Sequence, residues 1–165
     1  MIAYNSMLKT FRIGGIHPKE NKFSAGRAIE SIEIPDEVVV PLAQHIGAPC
    51  QPVVKRGDEV KVGTLLGKSV GFVSANIHSP VSGKVKKIDS ALDASGYKRN
   101  AVVIAVEGDE WDEQIDRSEA LVRECNLSAK EIIEKISAAG IVGMGGATFP
   151  THVKLTPPPG TKAEV

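Results

Sequence analysis

The chain has 165 residues, of which 42% are hydrophobic and 24% are charged, a composition typical of a folded globular protein. Twenty basic and twenty acidic residues balance to a net charge of zero, and aromatic residues make up only 4%, so neither bulk charge nor stacking surfaces favour a nucleic-acid partner. No apolar run is long enough to span a bilayer, which argues against direct membrane insertion.

The N-terminal segment, residues 1–35, has an irregular pattern. Its first ten residues, MIAYNSMLKT, lack the apolar core of a signal peptide, which indicates a cytoplasmic protein. The stretch FRIGGIHPKENKFS, residues 11–24, contains glycine, proline and asparagine at positions that predict turns rather than a helix. We therefore expect residues 1–35 to form an arm.

Residues 36–110 change to short β-branched segments separated by turn signals. These segments are VVVPL, CQPVVKRGDEVKVGTLLGK, ANIHSPVSGKVKKID and NAVVIAVEGD. Turn residues stand between them: Gly57 with Asp58, Gly63, and Pro80 with Ser82 and Gly83. Short strands at regular turn spacing, without helical periodicity, predict a small all-β barrel or sandwich.

An acidic stretch, EGDEWDEQID at residues 107–116, follows the β-region and has no apolar periodicity. It predicts a linker or a solvated surface strip, and we assign the linker to residues 111–126. Ser128 and Glu131 then stand at the spacing of a capping box, in which each side chain binds the other residue's backbone amide. The helix that follows has an apolar face of Ile132, Ile133 and Ile136, and Gly140 stands where a C-terminal cap belongs. We expect the barrel or a neighbouring chain to cover that face.

The stretch GIVGMGGATFPTHVKL, residues 140–155, places a glycine-rich loop after this helix. A dinucleotide-binding fingerprint would follow a strand and open a helix, so the order here is wrong for that motif. Gly143, Gly145 and Gly146 leave backbone amides unobstructed for a planar ring or a phosphate, and Lys154 adds a positive charge. From these residues alone, a capped helix followed by a packed turn explains the glycines equally well.

The rhythm of the β-region resembles the barrel-sandwich hybrid of biotinyl and lipoyl carrier domains. A carrier needs a modified lysine on an exposed hairpin between the two halves. Phe72 stands where a biotinyl lysine would lie, and the neighbours of Lys68, Gly67 and Ser69, do not match a carrier motif. We therefore interpret the barrel as a structural module rather than as a swinging arm.

No catalytic or metal-binding residues are predicted. The four histidines, His17, His45, His78 and His152, stand at no metal-ligand spacing from one another or from a cysteine. Cys50 is interpreted as a small buried hydrophobe. A disulfide between Cys50 and Cys125 is not favoured in a reducing compartment.

Four stretches together resemble the RnfC family, a component of the Rnf electron-transport complex. They are FRIGGIHPKENK, PLAQHIGAPCQPVVKRGDEVKVGTLLG, IHSPVSGKV and LSAKEIIEKISAAGIVGMGGATFPTHVKL, at residues 11–22, 41–67, 77–85 and 127–155. In addition, GMGGATFPTHVKL is similar to the loop GRGGAGFPTGLKW, which lies along FMN and NADH in the flavoprotein subunit of respiratory complex I. The resemblance implies a barrel-sandwich hybrid at 36–110 and, at 127–165, the truncated start of an α/β flavin domain.

The resemblance also implies site residues. Those that align with the flavin loop are Gly143, Gly145, Gly146, Ala147, Phe149 and Lys154. Met144 stands where complex I has arginine and His152 where it has glycine, so the positive charge of that arginine is missing from this loop.

For an intact protein, the resemblance implies electron transfer between NADH, FMN and 4Fe–4S clusters at the cytoplasmic face of the plasma membrane. The implied partners are the other Rnf subunits, whose membrane members move ions. Because this chain has two separated cysteines and no cluster motif, we expect an N-terminal fragment that is inactive alone and holds no cofactor. The alternatives are a non-catalytic β module that docks other subunits or, less favoured, a carrier domain.

Overall fold

The structure, a computed structural model, describes residues 21–93 and 95–161. Contacts divide the chain into two units, residues 1–32 and residues 33–165. In the first unit, residues 21–32 have no helix or strand, and a turn at 23–26 is closed by the Ala25 amide, which donates to the Lys22 carbonyl at 3.1 Å. The first twenty residues of the predicted arm, with His17, lie outside the described residues.

In the second unit, the described residues form seven strands followed by two helices. The strands are β1 (Glu37–Pro41), β2 (Gln51–Pro52), β3 (Glu59–Val60), β4 (Leu65–Lys68), β5 (Ile77–His78), β6 (Ser82–Leu92) and β7 (Lys98–Gly108). The helices are α1 (Ala129–Ala138) and α2 (Thr151–Lys154). None of the helices in this described part is long and apolar enough to cross a bilayer.

The strands form two antiparallel sheets. One sheet has four strands in the order β1-β7-β6-β3, and the other has three in the order β2-β4-β5. The predicted mainly β fold is therefore confirmed. The expectation of short strands throughout is wrong for β6 and β7, which have 11 residues each and form one long hairpin.

The turn predicted at Pro80, Ser82 and Gly83 is present as a bend at residues 80–81, but Ser82 and Gly83 begin β6 and do not belong to the turn. Here the register against β7 shifts between Ser82 and Gly83, as in a β-bulge. A Cβ on Gly83 would overlap the Ala105 carbonyl of β7, so the glycine permits close approach of the two backbones. The turns predicted at Gly57 with Asp58 and at Gly63 are confirmed.

The hydrophobic core lies between the two sheets. Its side chains come from strands of both sheets and from the loops between them, and the buried members are Val40, Leu42, Cys50, Val60, Leu66, Ile77, Val81, Val85, Val102 and Ile104. β7 carries four consecutive buried residues, 101–104, because it lies between β1 and β6 at the centre of its sheet. The β-branched run that predicted a strand there thus supplies the centre of the barrel.

The β4–β5 hairpin, residues 69–76, is closed by side chains rather than by a tight turn alone. Asn76 Oδ1 accepts from the Ser69 amide at 2.9 Å, and Ser74 Oγ accepts from the Val70 amide at 3.2 Å. The buried Ser74 hydroxyl donates to the Ala48 carbonyl at 2.9 Å, which ties the hairpin to the neighbouring barrel loop. The hairpin is therefore fixed in place although Phe72 at its tip is 62% exposed.

The first residues of the segment predicted as a linker lie against the barrel. Trp111 forms a bridge with Val62, and the Asp112 amide donates to the Val62 carbonyl at 3.0 Å. The Ile115 side chain packs against Gly63. Residues 116–128 have no helix or strand. The division into a barrel at 36–110 and a linker at 111–126 stays a prediction.

Replacing Ile104 with alanine should destabilise the barrel. Ile104 is fully buried at the centre of β7, so the change leaves a cavity and should lower the free energy of unfolding by about 2–5 kcal/mol. Val39→Ala on the paired strand is the control, because that side chain is 44% exposed and its loss should cost less than about 1 kcal/mol. Urea unfolding followed by circular dichroism checks both values, and equal losses would contradict the assigned core.

Candidate functional site

Helix α1 begins at the predicted capping box. Ser128 Oγ accepts from the Glu131 amide at 3.4 Å, and Glu131 Oε2 accepts from the Ser128 amide at 2.7 Å. These hydrogen bonds satisfy amides that have no partner within the helix. Hydrogen bonding to Ser128 holds the pKa of the Glu131 carboxyl below its ordinary value of 4.5, because the bonds favour the charged form.

The end of α1 is also as predicted. Gly140 has a positive φ of 69°, and its amide donates to the Ser137 carbonyl at 3.1 Å. The Ile141 amide donates to the Ile136 carbonyl at 3.3 Å, which completes a Schellman motif. This motif turns the chain sharply, so the glycine-rich loop starts directly beside the end of the helix.

The C-terminal end of α1 contacts the barrel at Asn76. Asn76 Nδ2 donates to the Ala138 carbonyl at 3.1 Å. A Cβ on Gly140 would overlap the Asn76 carbonyl, so the absence of a side chain allows the two backbones to meet.

The apolar face of α1 is only partly covered. Ile132 is 36% exposed, Ile133 and Ile136 are half-buried, and no residue of α1 is fully buried. α1 contacts α2, so the short second helix supplies part of the cover that this face needs.

The glycine-rich loop is closed at its base like a hairpin. Val142 and Pro150 form an antiparallel bridge, and the Gly143 amide donates to the Phe149 carbonyl at 2.9 Å. The Thr151 amide donates to the Ile141 carbonyl at 3.0 Å. The positions of both ends of the loop are therefore set by hydrogen bonds, and residues 144–148 project between them.

The projecting residues present free backbone amides. Among the described residues, the amides of 144–148 have no hydrogen-bond acceptor. A Cβ built on Gly145 or Gly146 would meet no atom within 4 Å, and both residues are exposed. A run of exposed amides without side-chain cover is the arrangement that admits an anion or a flat ring.

The structure brings three of the six predicted site residues together and places the other three at the tip of the loop. Gly143, Phe149 and Lys154 meet at its base, where Lys154 Nζ lies 5.7 Å from the centre of the Phe149 ring and next to Gly143. Gly145, Gly146 and Ala147 form the exposed tip. Met144, the departure from complex I, is 91% exposed beside them.

Two cavities flank the loop where it faces the barrel. One of about 570 Å³ is lined by Ala147 and Thr148 together with barrel residues of the 41–49 segment and Arg99. The other, of about 370 Å³, is lined by Met144, Thr148 and residues of the β5 region, including His78. Both volumes fall in the range of small-ligand sites.

Sequence reasoning missed two features of this site. Thr148 has a φ of +49°, which is rare for a β-branched residue and marks local strain at the edge of both cavities. His152 stands out in the sequence only as a difference from complex I. Its Nε2 lies 3.3 Å from the Phe72 carbonyl oxygen, whereas its buried Nδ1 has no partner in the described part of the chain.

The two other described histidines, His45 and His78, and Cys50 all belong to the barrel. His45 Nε2 accepts from the Ala75 amide at 3.1 Å, and burial lowers the pKa of His78 below its ordinary 6.5. Cys50 is 5% exposed and its thiol donates to the Ala75 carbonyl at 2.7 Å. The interpretation of Cys50 as a buried small side chain is confirmed. Both cysteines are free.

The two antiparallel sheets packed around one core, with turns at Gly57 and Gly63, define a barrel-sandwich hybrid domain. The family model described as "RnfC Barrel sandwich hybrid domain" matches residues 9–109. The chain belongs to the RnfC family, as its sequence pattern predicted.

Several curated proteins are similar to the chain. It is 52% identical, over 96% of its length, to the C subunit of the proton-translocating ferredoxin:NAD⁺ oxidoreductase complex of Clostridium ljungdahlii. It is 43% identical over 94% of its length to the C subunit of the Na⁺-translocating complex of Acetobacterium woodii, and 44% identical over 90% to the C subunit of an ion-translocating oxidoreductase complex of Rhodobacter capsulatus. The chain spans about a third of these relatives, covering 34%, 34% and 29% of their lengths.

The two cysteines should react with thiol reagents at very different rates. Burial raises the pKa of the Cys50 thiol above its ordinary value of 9.0, so little thiolate forms at pH 8, whereas Cys125 is exposed. We expect one rapid equivalent with Ellman's reagent and a second only after unfolding. Cys125→Ser should remove the rapid phase, and two rapid equivalents in the folded chain would contradict the placement of Cys50.

The capping box should weaken in acid. Because the pKa of Glu131 is lowered in the folded chain, its contribution is present above the unfolded value of about 4.5 and is lost as the pH falls through the folded value. The Ser128 amide resonance, followed by NMR against pH, should therefore titrate with a midpoint below 4.5. Glu131→Gln should abolish that titration, and a midpoint at or above 4.5 would show that the box does not form.

Proposed function

We propose that this chain is the N-terminal part of an electron-transfer subunit of RnfC type, and that residues 143–154 form one wall of its site for FMN and NADH. The names of the relatives support the broader role, since all three describe a subunit of an ion-translocating oxidoreductase complex. The coverage of about a third of their length supports a longer protein.

The exposed amides of residues 144–148 are the observation that carries the site. A flat ring system or a phosphate needs backbone donors that no Cβ obstructs, and Gly145 and Gly146 provide them. The hydrogen bond between Gly143 and Phe149 keeps the base of the loop closed, so these donors are held in place before a ligand arrives.

Lys154 supplies the charge in this wall. Its ammonium group lies beside Gly143 and over the Phe149 ring, on the loop side of α2. A cation there stabilises a phosphate or the negative charge of a reduced flavin. In this family member it provides positive charge on a loop whose position 144 is methionine rather than arginine.

When bound, FMN supplies the chemistry that connects two-electron exchange with NADH to one-electron transfer. The residues of this chain would bind and orient the ring beside the cavity that Ala147 and Thr148 line together with the barrel. The 4Fe–4S clusters would be bound by residues outside this chain, because Cys50 and Cys125 cannot supply four thiolates.

The same proposal places the protein at the cytoplasmic face of the plasma membrane, held there by other Rnf subunits. In this proposal the barrel docks these subunits. The alternative function, a non-catalytic β module that docks other subunits, is then the role of the barrel within the same protein. The carrier alternative is not supported, because the β4–β5 hairpin is tied to the barrel through Ser74 and carries Phe72 at its tip.

Gly145→Val in the full-length subunit should weaken FMN binding at least about tenfold, since the added side chain occupies the approach to the free amides while touching nothing in the loop. Fluorescence titration of the flavin-free protein measures the affinity. Gly108→Ala is the control. Arg99, near one end of β7, lines the cavity beside the loop, and Gly108 lies at the other end, roughly 30 Å away along the strand. Unchanged affinity in Gly145→Val would remove the loop from the site.

The reading frame that follows Val165 provides a second test. The proposal expects further strands of a flavin domain and clustered cysteines in the encoded protein. A complete gene product without either would overturn the electron-transfer function while leaving the barrel assignment intact.

A further inference from the structure

The β4–β5 hairpin contacts the glycine-loop segment on both sides of the loop. Before the loop, Asn76 Nδ2 donates to the Ala138 carbonyl at 3.1 Å, and Gly140 packs on the Asn76 backbone. After the loop, His152 Nε2 lies 3.3 Å from the carbonyl oxygen of Phe72. The hairpin thus holds the chain at two points, 138–140 and 152, between which the whole loop lies.

Both ends of the Asn76 amide are used. Its Oδ1 accepts from the Ser69 amide within the hairpin, at 2.9 Å, while its Nδ2 faces α1. The Ala138 carbonyl is one of the last carbonyls of the helix, which have no partner within it. Asn76 therefore closes the hairpin and caps the helix at once, and neither bond can be given up without exposing a backbone group.

His152 provides the second attachment. Because a carbonyl oxygen can only accept, this contact is a hydrogen bond that Nε2 donates. Nδ1 is buried and has no partner in the described residues, so this edge of the ring is shielded from solvent. The contact with Phe72 attaches the first turn of α2 to the hairpin, two residues before Lys154.

We propose that the β4–β5 hairpin is the platform that positions the glycine loop, with Asn76 and His152 as its positioning residues. Neither residue belongs to the six that form the flavin wall. The hairpin is itself fixed by Ser74, which donates to the Ala48 carbonyl. The loop is therefore attached, through the hairpin, to the barrel. The attachment is independent of any ligand, whereas its consequence for flavin rests on the proposed function.

The first test uses hydrogen exchange on this chain. Asn76→Asp keeps an oxygen for the Ser69 amide but turns a carboxylate oxygen toward the Ala138 carbonyl. Loss of that bond should speed exchange of the hydrogen-bonded amides of residues 140, 141, 143 and 151 by about fivefold or more. Barrel amides such as Val85 and Ile104 should not change. Asn100→Asp, the same chemical change at an exposed position on β7, should leave the loop amides unaffected.

Unchanged exchange at residues 140, 141 and 143 in Asn76→Asp would overturn the platform. If that variant unfolds, the barrel amides speed up as well, and His152→Ala then decides the question. It should speed exchange of the hydrogen-bonded amides of Thr151 and Leu155 with the barrel unchanged. His152→Gln should restore the slow rate because its amide nitrogen can donate to the Phe72 carbonyl. Equal rates in His152→Ala and the unmodified chain would contradict the role of His152.

A second readout separates this inference from the proposed function. In the full-length subunit, FMN affinity should fall at least about threefold in His152→Ala and recover in His152→Gln. Faster loop exchange with unchanged FMN affinity would support the platform and contradict the flavin wall. Weaker FMN binding with unchanged exchange would contradict the platform and leave the flavin wall in place.

Discussion

The side-chain amide of Asn76 is the interaction on which the arrangement of the site depends. Its oxygen closes the β4–β5 hairpin on the Ser69 amide, and its nitrogen holds the last carbonyl of α1. Because an amide has one accepting and one donating end, a single side chain can satisfy both backbones at once. This bond attaches the end of α1, and with it the start of the glycine loop, to the barrel.

The barrel and the loop segment differ in how they are stabilised. The barrel has a closed core in which Leu66 and Ile104 are fully buried, whereas neither α1 nor α2 buries a single residue completely. Isolated helices of 10 and 4 residues are marginal in water, so the loop segment depends on its caps and on its attachments to the barrel. The position of the loop is therefore set by these attachments and not by a core of its own.

Whether the sequence could predict an interaction depends on how many positions along the chain separate its two residues. The capping box and the glycine cap of α1 join residues three to five positions apart, so their residue types and spacing identify them. The Asn76 bond to Ala138 joins residues 62 positions apart, and the His152 contact with Phe72 spans 80, so no local pattern reveals either.

The long β6–β7 hairpin was missed because Ser82 and Gly83 have the composition of a turn but form a bulge. The alignment of Gly143, Gly145 and Gly146 with a flavin loop came from family resemblance, since glycine content alone did not separate a ligand site from a packed turn.

Gly140 shows what this architecture implies for sequence change. Two unrelated demands fall on one position, since the turn requires a positive φ of 69° and the Asn76 carbonyl occupies the space of a Cβ. An asparagine or aspartate, which tolerates the backbone conformation elsewhere, would still overlap the barrel here. No single second substitution relieves both demands, because the obstructing atom is a backbone oxygen that every residue at position 76 would retain. Single substitutions at position 140 are therefore not tolerated. Another residue there requires a simultaneous change in the backbone of the helix end and of the hairpin.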